Sequence, residues 1–276
     1  MSAFFHLSQS TCKLIERIWE WVSPDPETQR SASHVERFLT RVVESKQALR
    51  NEGKDDHSYP SRLLAVGLEK ENVIAECKDA LFAGTDSTGN NLATILWYLV
   101  AQPSVYDTLK SELLQNASQP QSKDLQSLPY LNGVVKEALR LSMAISCRLP
   151  RVVPPGGFTF NELYIPPATN IGLSAFQLHL SPTIFPSPHS FSPERWINAS
   201  PEMQRDFMPF GKGARACIAR NLAMMELFVA TEKVVRSGVL EGGRTVKERI
   251  ESLEWFNSRV VGGRVELDWV GVEEKV

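Results

Sequence analysis

Cys217 sits in residues 207–219, FMPFGKGARACIA, behind two glycines and an arginine. Gly211 and Gly213 permit tight turns, positive φ included, and let the backbone come close to a flat partner. Helical patterning begins directly after the cysteine, in IARNLAMMELFVATEKVVRS at about 218–237, so the thiol belongs near a helix N-terminus. Unpaired N–H groups and the macrodipole there favour a thiolate, which serves as a nucleophile or a soft metal ligand. Three readings stand side by side: a buried structural cysteine, a phosphate loop and a metal ligand. The second lacks the preceding strand and the third glycine that a phosphate loop uses. A cysteine–histidine hydrolase, with His179 or His189 beside Cys217, is a further class.

Four other short stretches carry residues with chemistry. KEALRL places Glu137 and Arg140 at i and i+3 on one helix face, where an ordinary surface pair contributes about 0.2–0.5 kcal/mol. AGTDST sets Gly84, Asp86, Ser87 and Thr88 in the middle of a long helical run. Gly84, and Gly89 after it, each cost about 1 kcal/mol against alanine in a helix interior; the polar residues alone would merely bend a helix. LPRVVP contributes Arg151, on its own a solvated loop arginine. SPERW contributes Arg195.

Spacing decides among the readings of the cysteine. Phe210-x-x-Gly213-x-Arg215-x-Cys217-x-Ala219 resembles the haem-binding signature of the cytochrome P-450 family, with alanine at a position where glycine is usual. The resemblance implies that Cys217 is the axial thiolate of a haem iron, where thiolate donation favours O–O cleavage. It also implies that Gly211 and Gly213 shape the bend facing the haem, that Phe210 lies against the porphyrin edge and that Arg215 pairs with a propionate. The other stretches resemble further landmarks of the family and follow in its order over roughly 80–222. By that resemblance Glu137, Arg140 and Arg195 form a structural triad in which Arg195 holds Glu137 bidentately and locks the cysteine loop. Gly84, with a local break in the helix ladder, opens a groove for O2. Asp86 relays protons, and Ser87, where threonine is usual, holds a water with Thr88 beside it. Arg151 reaches the second propionate. LYIPPATN at 163–170 resembles a strand–turn segment of the family, with Ala168 in place of the usual glycine.

The implied activity is that of a haem-thiolate monooxygenase which hydroxylates or desaturates a small apolar organic substrate in secondary metabolism; PERW and RVVP look most like fungal members. Its cofactors would be haem b (iron protoporphyrin IX) and O2. NADPH-derived electrons would come from an NADPH-dependent flavin reductase facing Lys212, Arg215 and Arg220. The substrate pocket would draw on residues around 81–88, 151–155 and 259–263, and on segments that precede this chain in the family. The resemblance covers only the C-terminal half of the family's chain. Ordinary members add a membrane anchor to the endoplasmic reticulum, facing the cytoplasm, a first β-sheet and helices that roof the haem. As it stands the chain is expected to be cytoplasmic, with an open side on its haem and apolar surface that invites a partner. The alternative is a truncated, non-catalytic relative that binds haem or a partner without turnover.

The elements that must position these residues follow from pattern and composition. The chain has 276 residues, 42% of them hydrophobic, enough for a substantial core. A net charge of -2 with no basic tract argues against nucleic acid. Cysteines at 12, 77, 147 and 217 form no C-x-x-C pair and no disulfide framework, which points to a reducing compartment. No segment approaches the ~20 apolar residues of a membrane span. Leu14, Ile15, Ile18 and Trp19 predict an amphipathic N-terminal helix. Further helices are expected over about 32–50, 71–102 (oxygen activation), 103–115 and 128–142 (E-x-x-R), the last opened by Ser127 as cap and Pro129 in its first turn. Nine of the 17 prolines crowd the β and loop segment 150–196, where GFTFNELYI and NIGLSAFQLHL read as strands. The thiolate loop at 207–219 and the helix at 218–237 come next, and a hairpin over about 258–270, turning at Gly262-Gly263, closes the chain. The fold class is mainly α (α+β), the C-terminal portion of a cytochrome P-450 fold, as a single domain over 1–276.

Overall fold

A computed structural model describes residues 26–54, 56–116, 122–253 and 257–269. The amphipathic N-terminal helix expected near Leu14–Trp19 lies outside the described residues. The fold is mainly α with small antiparallel ladders, as the sequence pattern implied. Its contacts divide the chain into two compact units that meet in sequence at Asp86 and Ser87.

The first unit holds α1 (Pro26–Asn51), α2 (Tyr59–Ala65) and the N-terminal part of α3 (Lys70–Ala101). Leu39 and Val43, one helical turn apart on α1, pack with Leu64, Val73 and Cys77 into a small core. Cys77 is thus a structural cysteine, and burial pushes its thiol pKa up.

The second unit carries the remainder of α3, then α4 (Pro103–Gln115), α5 (Ser122–Leu125), α6 (Pro129–Ser142), α7 (Ala175–His179), α8 (Pro201–Asp206) and α9 (Arg220–Ser237). Ile95 and Leu99 of α3, Leu109 and Leu113 of α4, Leu131, Val134, Val135 and Ala138 of α6, and Leu227, Phe228 and Val235 of α9 form one core. At the centre of this unit, α6 buries Glu137 and Arg140 along with its apolar residues. The N-cap of α6 is Leu128, with no side-chain cap. Ser127, expected in that role, instead donates its hydroxyl to the Asp124 carbonyl at 2.6 Å. Glu112 reaches across from α4 and accepts the Tyr130 and Leu131 N–H groups, each at 2.8 Å, so a carboxylate from the neighbouring helix satisfies the first turn. Gly133 lets α6 meet the 3₁₀ helix Pro193–Trp196 closely, since a Cβ there would stand 2.5 Å from the Pro193 carbonyl oxygen.

The strands pair over short distances. β1 (Arg148–Val152) lies antiparallel to β4 (Asn170–Ser174), with Arg151 opposite Ile171. GFTFNELYI, read as a strand, is two: β2 (Phe158–Phe160) and β3 (Leu163–Ile165) pair antiparallel as a hairpin. NIGLSAFQLHL is strand only in its first half, and then turns into α7. The tail also differs from expectation. β5 (Gly243–Thr245) pairs with β8 (Leu267–Trp269), and β6 (Ser252–Leu253) pairs with β7 (Arg259–Val260). The two tail strands therefore join earlier partners rather than each other, although Gly262 and Gly263 do turn with φ of 85° and 76°. Ala168, where the family resemblance led us to look for glycine, holds φ at 63°, in the left-handed region. Among the described residues no helix is long and apolar enough to cross a membrane.

Candidate functional site

Glu137 and Arg140 are both 0% exposed, far from the ordinary surface pair that an E-x-x-R spacing brings to mind. Oε1 of Glu137 accepts Arg140 Nη2 at 2.8 Å, Arg195 Nε at 2.9 Å and the Ser192 N–H at 3.1 Å. Oε2 accepts Arg140 Nε at 3.0 Å and Trp196 Nε1 at 2.8 Å. The bidentate partner is therefore Arg140; Arg195, expected in that role, gives a single bond to the carboxylate and sends Nη1 to the Pro186 carbonyl at 2.9 Å. Arg140 spends its remaining donors on the carbonyls of His179, Pro188 and Ser190, at 2.8, 2.6 and 3.2 Å. A buried charge needs this degree of compensation. The consequence is local: residues 186–196, which have little regular structure, are held to α6 by fixed bonds. Sequence reasoning missed the parts of Trp196 and Ser192 in this network and considered His179 only as a hydrolase base, because contact between positions some 40 to 60 residues apart leaves no trace in local spacing.

The cysteine loop leaves this network at Phe207, whose ring packs on Trp196 (centroids 4.6 Å apart) and stacks on His179 (5.5 Å). The Met208 N–H donates to His179 Nε2 at 3.0 Å. The loop then closes on itself: Gly211 N–H donates to the Met208 carbonyl at 3.1 Å and Cys217 N–H to the Phe210 carbonyl at 2.9 Å. Gly211 and Gly213 supply the turns with φ of 68° and 74°. A Cβ on Gly211 would sit 3.8 Å from Leu149 Cδ1, so β1, which also carries Arg151, borders the loop. Phe210 packs against the main core. Cys217 is free and exposed, three residues ahead of the first residue of α9, and is thus not a buried structural cysteine. Ile218 beside it is 97% exposed, and Leu222 and Met225 on α9 also face outward.

His179 is 0% exposed, with Nδ1 3.3 Å from the Arg140 carbonyl oxygen and Nε2 taken by Met208. Burial holds its pKa at about 4, well below the usual histidine value. Both ring nitrogens are committed to main chain, which leaves none to deprotonate Cys217 and sets aside the hydrolase reading at this residue.

The remaining site residues lie on α3 and β1. Gly84 and Asp86 are exposed at the end of the first unit, whereas Ser87 and Thr88, half-buried, open the second. Asn91 Nδ2 donates to the Ser87 carbonyl at 2.9 Å, and Thr85 Oγ1 to the Leu81 carbonyl at 2.7 Å. The helix stays α-helical from Lys70 to Ala101, so the break expected at Gly84 does not occur. A Cβ on Gly84 or Gly89 would meet nothing within 4 Å among the described residues, so no contact there explains either glycine. Arg151 is exposed, its Nη1 on the neighbouring Pro150 carbonyl at 2.8 Å. Arg215 is exposed, with no hydrogen bond or ion pair among the described residues.

These residues fit a haem by the chemistry of their donors. Among the described residues there is no group of three or more His, Cys, Asp or Glu that could hold a metal ion. A porphyrin carries four nitrogens of its own and would ask only the Cys217 sulfur of this loop. The soft sulfur suits iron, the uncommitted Arg215 guanidinium suits a carboxylate, and Ile218, next in sequence to the cysteine, is an exposed apolar residue, as are Leu222 and Met225 on α9.

Comparison with known proteins agrees with the geometry. The family model for cytochrome P-450 matches residues 3–250. Cytochrome P-450 monooxygenase mfmF of Annulohypoxylon moriforme is 36% identical over 260 residues, which cover 90% of this chain and 51% of that protein. The fusicoccadiene C-8 hydroxylase of Alternaria brassicicola is 37% identical over 179 residues, 62% of this chain and 34% of that protein. A third relative, the inactive cytochrome P-450 monooxygenase cloA of Claviceps fusiformis, is 39% identical over 185 residues, 63% of this chain and 36% of that protein. The chain therefore belongs to the cytochrome P-450 family, a family whose cofactor is haem iron. It spans about half the length of the curated relatives it matches, or less.

Proposed function

We propose that this chain supplies the haem-thiolate half of a monooxygenase that hydroxylates or desaturates a small apolar substrate, in the manner of fungal secondary metabolism. One observation carries the reading: an exposed cysteine, Cys217, ends a loop whose base is bonded, through His179, to a buried glutamate–arginine pair. Cys217 Sγ would hold the iron of haem b, with Arg215 and Arg151 at the propionates. Bound there, the haem supplies reduction of O2 and transfer of one oxygen atom to substrate. Asp86 takes protons from solvent at its exposed carboxylate, and the Ser87 hydroxyl, with Thr88 beside it, holds the water that passes them on. Lys212, Arg215 and Arg220 are exposed and give a basic face to an NADPH-dependent flavin reductase. The hydroxylase named among the relatives supports this class of reaction.

A second reading, a relative that binds haem or a partner without turnover, is favoured by the relative named as inactive. Reconstitution with haem, reduction and carbon monoxide separate the two. A strongly red-shifted Soret band in the wild type, lost in Cys217→Ser, supports thiolate ligation. A folded protein that takes up no haem refutes it. With the band present, oxidation of an apolar probe substrate by added reductase and NADPH marks a monooxygenase, and its absence marks the second reading.

A further inference from the structure

We propose that His179 is the positioning residue that transmits the rigidity of the buried Glu137–Arg140 pair to the cysteine loop. The bonds run in both directions between α6 and His179. Arg140 Nη1 donates to the His179 carbonyl at 2.8 Å, and the His179 ring in turn meets the Arg140 carbonyl through Nδ1 at 3.3 Å. That carbonyl lies in the last turn of α6, where helix carbonyls run out of intrahelical donors. On its other side the ring accepts the Met208 N–H. From Met208 two main-chain bonds, Gly211 N–H to Met208 and Cys217 N–H to Phe210, reach the sulfur-bearing residue.

Only one form of one side chain meets both demands. Nδ1 must carry the proton to donate to Arg140, and Nε2 must be bare to accept from Met208. A phenylalanine would keep the stack on Phe207 and lose both bonds. An asparagine reaches the Nδ1 position but falls short of Met208. A glutamine carries its oxygen out to the Nε2 position. The role rests on the haem-thiolate reading for its effect on the iron, but its effect on the loop does not.

Hydrogen exchange of the haem-free protein, followed by mass spectrometry, tests the loop directly in wild type, His179→Phe, His179→Asn and His179→Gln. Residues 207–217 should exchange at least tenfold faster in the Phe and Asn variants, with residues 130–142 changed less than twofold, and Gln should return within about threefold of wild type. The ferrous–carbonyl band of the haem-reconstituted Phe and Asn proteins should decay at least tenfold faster, with Gln again close to wild type. Unchanged exchange at 207–217, or equal acceleration of both segments, overturns the proposal. His179→Asn keeps a polar side chain and decides the question should His179→Phe fail to fold. A wild type with no red-shifted band refutes the haem reading while the exchange result still decides the anchoring.

Discussion

Replacement of Glu137 by glutamine changes one atom and removes a charge that two arginines share. Whichever way the amide lies, its NH2 confronts donors. On the Oε2 side it faces Arg140 Nε and Trp196 Nε1; on the Oε1 side it faces Arg140 Nη2, Arg195 Nε and the Ser192 N–H. At least two bonds are lost, each worth about 1.5–3 kcal/mol because a charged group takes part. Arg140 remains at 0% exposure with no counter-charge, and breaking a buried pair in this way costs about 3–5 kcal/mol. These figures overlap rather than add, so Glu137→Gln should cost about 3–5 kcal/mol of a total near 5–15. Urea unfolding of the haem-free protein, followed by far-ultraviolet circular dichroism, reads this as a lower midpoint at unchanged slope. The exposed Glu194→Gln serves as control. A loss under about 1 kcal/mol for Glu137→Gln would refute the reasoning, since it would mean that water or rearrangement satisfies those donors.

Three further outcomes follow from other parts of the structure. Gly133→Ala should cost about 1–3 kcal/mol, because its Cβ meets the Pro193 carbonyl at 2.5 Å, whereas Gly84→Ala should gain up to about 1 kcal/mol in the haem-free protein, its Cβ meeting nothing. Thermal unfolding of the pair checks the opposite signs. Ala168→Gly should stabilise by about 0.5–1 kcal/mol by relieving φ of 63°, again by thermal unfolding. His179 has a folded pKa of about 4 against 6.5 when free. The unfolded chain therefore takes up the proton first, and stability falls as pH drops from about 6.5 toward 4. The full step is worth about 3 kcal/mol. Urea midpoints measured across that range should show it in wild type and lose it in His179→Gln.

Elements that declare themselves over ten to thirty residues were readable in the sequence. Apolar periodicity and flanking prolines placed α3, α4, α6 and α9 to within two residues, and the glycines of the cysteine loop do adopt positive φ. Misreadings arose where a distant residue decides. Ser127 looks like a cap, but Glu112 already occupies the N–H groups of that turn. Alternating apolar residues in the tail read as a local hairpin, yet β7 and β8 find partners among residues 243–253. In the site, spacing paired Glu137 with Arg140 but carried no information on depth, and depth is what turns a surface pair into a support.

The same arrangement sets an order of events during synthesis. The carboxylate at 137 and its helical partner leave the ribosome with only each other, and the donors at 192, 195 and 196 arrive some 55 to 59 positions later. At about 5–20 residues per second that is a wait of roughly 3–12 s. Through it the helix must keep its charged face in water. The globule therefore seals late, once Trp196 has emerged, and a nascent chain halted before that tryptophan would have its charged pair still hydrated and its apolar face unfilled.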